Sequence, residues 1–170
     1  MRRVRYSVVA SLDGYIAGPR GEHDWITSDP DFDFAALFSQ FDTILVGRRT
    51  FDTMVAAQRV TMPGMKTIVF SRTLRQEDYP QVEMVAGDQR QTVAALRASL
   101  GKDIWLFGGG SLFASLAEDG LVDTVEIRII PILLGKGVPL SPDLKNRIQL
   151  SLTSHKVFGT GIVSLEYAIQ

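Results

Sequence analysis

The sequence contains no cysteine, and its two histidines, His23 and His155, have no companions at metal-ligand spacing. These absences exclude a disulfide framework, a thiolate nucleophile and a cysteine-based zinc site, and the expectation is no bound metal. Neither sign of charge dominates: 18 Lys and Arg stand against 19 Asp and Glu, for a formal net charge of −1. No global positive field therefore argues for a nucleic-acid partner. No run reaches the roughly 18–20 apolar residues a membrane span needs. The first apolar stretch is broken by Ser7, Ser11 and Asp13, so no signal-peptide core follows. No Ser/His/Asp set is in view, which argues against covalent hydrolysis. The expectation is a cytoplasmic protein with no membrane partner.

What remains is an ordinary globular mixture, 45% hydrophobic and 22% charged over 170 residues. That is the size of one domain, expected to span 1–170 and able to bury a core without staples. Val4, Tyr6, Val8 and Ala10 alternate with Arg5, Ser7 and Val9, the period of a strand. Asp13-Gly14 and Gly18-Pro19 break the pattern into a long loop. Phe34, Leu37, Phe38 and Phe41 fall at helical spacing and predict a short helix within 31–41. Buried strands are expected at 43–46, 66–70, 82–86 and 104–107. Helices are expected to open at Arg48, at Asp88 with Gln91 as a capping pair, and at Ser111. Val93, Leu96 and Leu100 are expected to form the inner face of the second of these, with Gly101 ending it. Strands at about 122–134, 148–158 and 162–169 close the chain, the last two joined by a turn at Gly159-Thr160-Gly161. Alternating strands and helices followed by strands alone predict an α/β fold. Its three layers, α/β/α, enclose a mostly parallel central sheet with an antiparallel C-terminal edge hairpin.

Two strand ends are rich in glycine: Gly47-Arg48-Arg49-Thr50 and Gly108-Gly109-Gly110-Ser111. In open α/β sheets ligands bind beyond the carboxyl ends of the strands. Glycine admits close backbone approach, and the free N–H groups of the following helix favour a phosphate. Arg48 and Arg49 add donors of matching geometry. At either site alone, a tight turn that needs glycine for sterics is the alternative, and a solvated arginine pair is the alternative for Arg48 and Arg49.

Four segments together resemble a known family. They are Tyr6 to Ala17 (YSVVASLDGYIA), Asp42 to Phe51 (DTILVGRRTF), Ile104 to Leu116 (IWLFGGGSLFASL) and Val122 to Gly137 (VDTVEIRIIPILLGKG). In order and spacing they are similar to the reductase-domain family that contains dihydrofolate reductase and the reductase half of the riboflavin-pathway deaminase-reductase. The resemblance implies a dihydrofolate-reductase-like fold, NADPH as cofactor and a small-molecule substrate. It assigns the cofactor's diphosphate to Gly47, Arg48, Arg49 and Thr50, and its 2′-phosphate side to Ser71 and Arg72. The pyrophosphate and nicotinamide side falls to Gly108, Gly109, Gly110, Ser111 and Leu112, with a cis bond between Gly108 and Gly109. Ala10 is expected to offer backbone bonds to the nicotinamide carboxamide. For substrate the expectations are Asp13 and Asp31 as catalytic acids, with Trp25 and Arg128 lining the pocket. The alternatives are a polar turn cap for Ser71, a helix cap among Asp29, Asp31 and Asp33, a turn support for Asp13, a core aromatic for Trp25, and a surface salt bridge to Glu126 for Arg128. Dihydrofolate reduction needs a carboxylate firmly placed on the first helix, which none of Asp29, Asp31 and Asp33 matches, and Tyr15 stands where the riboflavin branch usually has lysine, so a true dihydrofolate reductase and a 5-amino-6-(5-phosphoribosylamino)uracil reductase are kept only as alternatives. A dinucleotide-binding module without turnover is the rival reading. Relatives in the riboflavin branch imply a homodimer through the late strands.

Overall fold

Ile44, Leu45 and Val46 lie wholly buried in one strand, yet they belong to two different cores. Successive side chains of a strand point to opposite faces, so a strand apolar on both faces must be covered on both. In the computed structural model, which describes residues 1–170, this is the case throughout the central strands. The chain runs β1 (Val4–Ser11), β2 (Tyr15–Ala17), α1 (Phe34–Phe38), β3 (Phe41–Gly47), α2 (Arg48–Ala56), β4 (Lys66–Phe70) and β5 (Glu83–Val85). It continues with α3 (Gln89–Ala98), β6 (Asp103–Gly108), α4 (Gly110–Glu118), β7 (Thr124–Ile130), β8 (Val138–Pro139), β9 (Leu150–Val157) and β10 (Val163–Ile169). Eight strands form one sheet in the order β5-β4-β3-β6-β1-β7-β10-β9. Pairing is parallel from β5 to β7, and β10 runs antiparallel to both of its neighbours.

One face of the sheet carries Val4, Tyr6, Leu45, Ile68, Ile104 and Leu106, packed against Val93 of α3 and Leu112, Phe113 and Leu116 of α4. The other carries Ile44, Val46 and Val69 against Phe51 and Met54 of α2. Each such side chain contributes about 1.5–3 kcal/mol by leaving water. The result is the expected three-layer α/β/α arrangement with its C-terminal hairpin at the edge.

Three local expectations are corrected. The helix within 31–41 shrinks to Phe34–Phe38 and buries no residue. Its aromatics form a cluster on Trp105, with Phe38 at 5.5 Å and Phe41, already in β3, at 5.4 Å between ring centroids. Leu100 is fully exposed instead of facing the core, because the chain leaves α3 at Ser99 in an extended conformation (ψ 167°). The strand expected over 122–134 ends at Ile130, since Pro131 has no N–H to continue the ladder. The two-residue β8 and its partner β2 were not foreseen; a pairing so short leaves no periodic trace.

Candidate active site

β3 and β6 are neighbours, with Val46 opposite Gly108, so the two glycine-bearing ends emerge side by side. A Cβ on Gly47 would stand 3.4 Å from the Gly109 nitrogen and 3.6 Å from the Gly108 oxygen. Gly47 and Gly109 are the N-cap residues of α2 and α4, and neither helix start has a side-chain cap. Two sets of unpartnered N–H groups, each at the positive end of a helix dipole, therefore lie together at the carboxyl edge of the sheet. The Thr50 hydroxyl closes the floor: Cβ atoms on Gly108 and Gly109 would meet its Oγ1 at 3.3 and 3.2 Å. The Gly108–Gly109 bond is cis, as the resemblance implies.

Gly110 has a different reason for being glycine. A Cβ there would lie 2.8 Å from the Leu140 carbonyl oxygen and 2.5 Å from Pro142 Cδ, so α4 packs directly on that segment. The Ser111 hydroxyl donates to Asp143, and Leu112 is buried in the core. At positions 110–112 the groups left for a ligand are backbone N–H groups, not side chains.

Beside this cradle, Arg48, Phe70, Ser71, Arg72, Thr73 and Gln89 are among the residues lining a cavity of about 250 Å³. Arg48 is held in place by Asp52, its Nε 2.9 Å from both carboxylate oxygens, and donates to the Thr73 hydroxyl. Ser71 Oγ accepts from the N–H of Thr73 at 3.2 Å and of Leu74 at 3.1 Å, so its first task is to cap its own turn. Arg49 and Arg72 are exposed; Arg72 lines the cavity and Arg49 does not.

The expectation for Ala10 is corrected by the pairing of β1. The Arg3 carbonyl accepts from Ile104 and the Val4 carbonyl from Asp123, so odd residues of β1 present backbone groups toward β6 and even ones toward β7. Ala10 therefore spends its N–H and C=O on β7. The β1–β6 ladder ends at Tyr6 with Leu106, while β1–β7 continues to Ser11. Between the parted ends, the Ser7 carbonyl accepts from Trp105 Nε1 at 2.8 Å. The backbone of Val9 faces the gap. A sequence pattern of alternation places side chains but not which neighbour each amide meets, so it does not tell the backbone direction of Val9 from that of Ala10.

On the α1 face of the sheet a second cavity, of about 140 Å³, is lined by Val9, Phe32, Phe34, Arg128, Ile130 and Phe158, among others, with Asp29 at its side. Arg128, one of the residues expected to line a substrate pocket, lies on this wall. The other expected substrate residues are placed differently. Asp13 is exposed at the β1–β2 turn: its carboxylate accepts from Ser11 Oγ at 2.6 Å, Leu134 N at 3.1 Å and Gly135 N at 2.7 Å. Those bonds, the Ser11 hydroxyl's first, hold it below the usual carboxylate range, so it pins a turn and keeps no proton to give. Asp31 is exposed and lies off the cavity wall. Trp25 is half-buried, packs against the small core around Ile130, Phe158 and Ile162, and donates from Nε1 to the Glu22 carbonyl at 3.1 Å.

The acid that does reach this cavity is Asp29, buried to 4% exposure. One oxygen accepts from Thr160 N at 3.1 Å and Thr160 Oγ1 at 2.7 Å, and the other from Asp31 N at 2.9 Å. It latches the loop before α1 to the β9–β10 turn. These bonds, Thr160's hydroxyl first, depress its pKa. A depressed folded-state value means the latch is fully present above the ordinary value of 3.8 and is lost as pH falls below it. Asp29→Ala is therefore expected to lower the melting temperature clearly at neutral pH and hardly once the pH has fallen through the depressed value. Equal lowering at both, in thermal denaturation scans, contradicts the latch.

A family model described as the RibD C-terminal domain matches residues 2–164. YyaP, an uncharacterized protein of Bacillus subtilis (strain 168), is 36% identical over 98% of this chain and 94% of its own. The riboflavin biosynthesis protein RibD of Corynebacterium ammoniagenes is 26% identical over 82% of this chain, which spans 48% of that longer protein. Among solved structures, a Shewanella sp. PV-4 protein provisionally named for riboflavin biosynthesis superposes with a TM-score of 0.83 at 29% identity, covering 100% of this chain and 99% of that one. Dihydrofolate reductase from Enterococcus faecalis, complexed with NADP(H), superposes with a TM-score of 0.71 at 18% identity over 99% and 96%, a likeness of fold alone. With four family segments in order, a matching sheet and a family model spanning nearly every residue, the chain belongs to the RibD C-terminal domain family and has the dihydrofolate-reductase-like fold.

Proposed function

We propose that the protein is an NADPH-dependent reductase of a small planar substrate. The observation that carries this reading is the pair of uncapped helix starts at Gly47 and Gly109, adjacent at the sheet's carboxyl edge and flanked by a cavity containing Arg48 and Arg72. NADPH, when bound, supplies the hydride. The chain's own part is to hold and orient. The free N–H groups of residues 48–50 and 110–112 would take the diphosphate. Arg72 and the Asp52-held Arg48 would take the 2′-phosphate, with the Thr73 hydroxyl. The backbone of Val9 would meet the carboxamide across the parted ends of β1 and β6. The cavity beneath Val9 would then present the substrate to the nicotinamide. Its one carboxylate, Asp29, is ionised and fully engaged, so the proton for reduction would come from water.

Arg72→Ala is expected to weaken NADPH binding at least tenfold, about 1.4 kcal/mol, and to leave NADH binding unchanged. Fluorescence titration with the two nucleotides checks this; equal loss for both contradicts the 2′-phosphate role. A second copy of the chain is the proposed cover for the edge strand β9, where Leu152 and Val157 are 53% and 67% exposed. Light scattering that reports a species of 18.8 kDa at working concentration contradicts it.

A further inference from the structure

The surroundings of Arg128 specify what the substrate cavity takes. Its guanidinium lies 4.3 Å above the Phe32 ring and 5.8 Å from that of Phe34, and those rings meet edge to face at 4.6 Å. Stacking takes up the face of the guanidinium and leaves the N–H donors at its edge open, with no acceptor on the chain. The carboxylate nearest in sequence on the same strand face, Glu126, is already committed: Oε1 accepts from Arg5 Nε at 2.5 Å and Oε2 from Arg5 Nη2 at 3.0 Å. Thr124 Oγ1 adds a third bond to Glu126 at 3.0 Å. Arg128 itself forms no ion pair, and burial pushes its pKa down while Glu126 acts more weakly in the other direction. A half-buried guanidinium with no partner on the chain is a site for an anion supplied from outside.

The rest of the wall fixes the shape and charge of that anion. Val9, Ile26, Phe32, Phe34, Ile130 and Phe158 make the cavity chiefly apolar, and it is small, at about 140 Å³. Among the lining residues Arg128 is the one cation and Asp29 the one carboxylate; Lys156 stands beside the wall, its Nζ 4.5 Å from the Phe158 ring centroid, and its charge already acts on Asp29. A phosphate ester would bring two charges to one arginine and set the surplus against ionised Asp29. A carboxylate brings one charge in the planar geometry that a guanidinium fork matches.

We propose that this cavity binds a single flat ring bearing a carboxylate, with the ring against Phe32, Phe34 and Ile130 and the carboxylate on Arg128. This rests on the reductase reading for its purpose but not for its chemistry, since the residues concerned lie outside the phosphate cradle. Arg128 is then the residue that selects substrate by charge.

The test uses benzoate as probe, with benzamide as a neutral ring of the same shape and acetate as an anion without a ring. Binding is followed on the full chain by nuclear magnetic resonance, both free and saturated with NADPH, reading the Arg128 side-chain Nε–H resonance. Benzoate is expected to move that resonance and to bind at least tenfold tighter than benzamide or acetate. Arg128→Met is expected to lose benzoate at least tenfold and Arg128→Lys to recover part of it. Benzamide binding as well as benzoate, no response to benzoate in either state, or undiminished benzoate binding to the folded Arg128→Met variant each overturns the proposal. If the variant does not fold, the comparison of benzoate with benzamide on the wild-type chain still decides. NADPH titrated alone reports separately on the cofactor reading, so either idea fails without the other.

Discussion

Gly47→Asp is expected to abolish NADPH binding by at least a hundredfold, about 2.7 kcal/mol, while leaving the fold intact. Sterics and charge act separately at this position. Gly47 has an extended backbone (φ −81°, ψ 162°) that any residue adopts, and its nearest Cβ contacts of 3.4–3.6 Å are ordinary packing distances. Aspartate is moreover a favourable N-cap, worth a few tenths of a kcal/mol over glycine, so α2 loses no stability. The new carboxylate occupies the N–H groups that a phosphate needs and repels what charge remains. Melting temperature without ligand should therefore be unchanged or slightly raised, while the rise produced by NADPH disappears. A variant that still gains stability from NADPH as the wild type does contradicts the cradle.

Arg5→Ala is expected to cost about 3–5 kcal/mol of stability, because it strands a carboxylate inside the sheet face. The Arg5 and Glu126 side chains are 7% and 12% exposed, and Arg5 also donates to Gln40 Oε1 at 2.6 Å. For a chain of this length that loss lowers the melting temperature by roughly 10 °C. Replacing both partners with apolar residues, as in Arg5→Met with Glu126→Leu, is expected to restore most of it, since paired burial gains little over good packing. Calorimetry on the single and double variants checks this, and a single variant as stable as wild type contradicts it. The pair also has a bearing on function: by occupying Glu126, Arg5 leaves Arg128 uncompensated and open to a ligand.

The parts of the site legible in the sequence are those written in contiguous residues. Buried strands ending in glycine before a helix placed Gly47 and Gly109 where the structure has them, and alternation along β7 put Arg128 on a polar face. The family resemblance added the cis bond at Gly108–Gly109. What was not legible depends on relations across the chain. Asp29 reaches the cavity because Thr160, 131 positions later, folds back onto it, and nothing near either residue announces the other. Val9 rather than Ala10 turns its backbone to the gap between β1 and β6 because odd and even amides of β1 serve different neighbours, a matter of strand order. Gly110 is explained by Leu140 and Pro142 across a tight contact, so a triplet that reads as one motif has two separate causes. The aromatic spacing of 34–41 predicts a short helix but not its surroundings: Phe34 and Phe38 remain partly open, Phe34 on the wall of the smaller cavity and Phe38 against Trp105.

The claim beneath all of this is that two helix starts share one dinucleotide's phosphates. A titration of the isotope-labelled chain with NADPH, followed through its backbone amide resonances, tests it most directly. The largest shifts are expected at the amides of Arg48 to Thr50 and Gly110 to Leu112, moving together with one affinity, and smaller ones at Arg72 and Thr73. Shifts confined to one of the two helix starts, or centred elsewhere on the molecule, would contradict it.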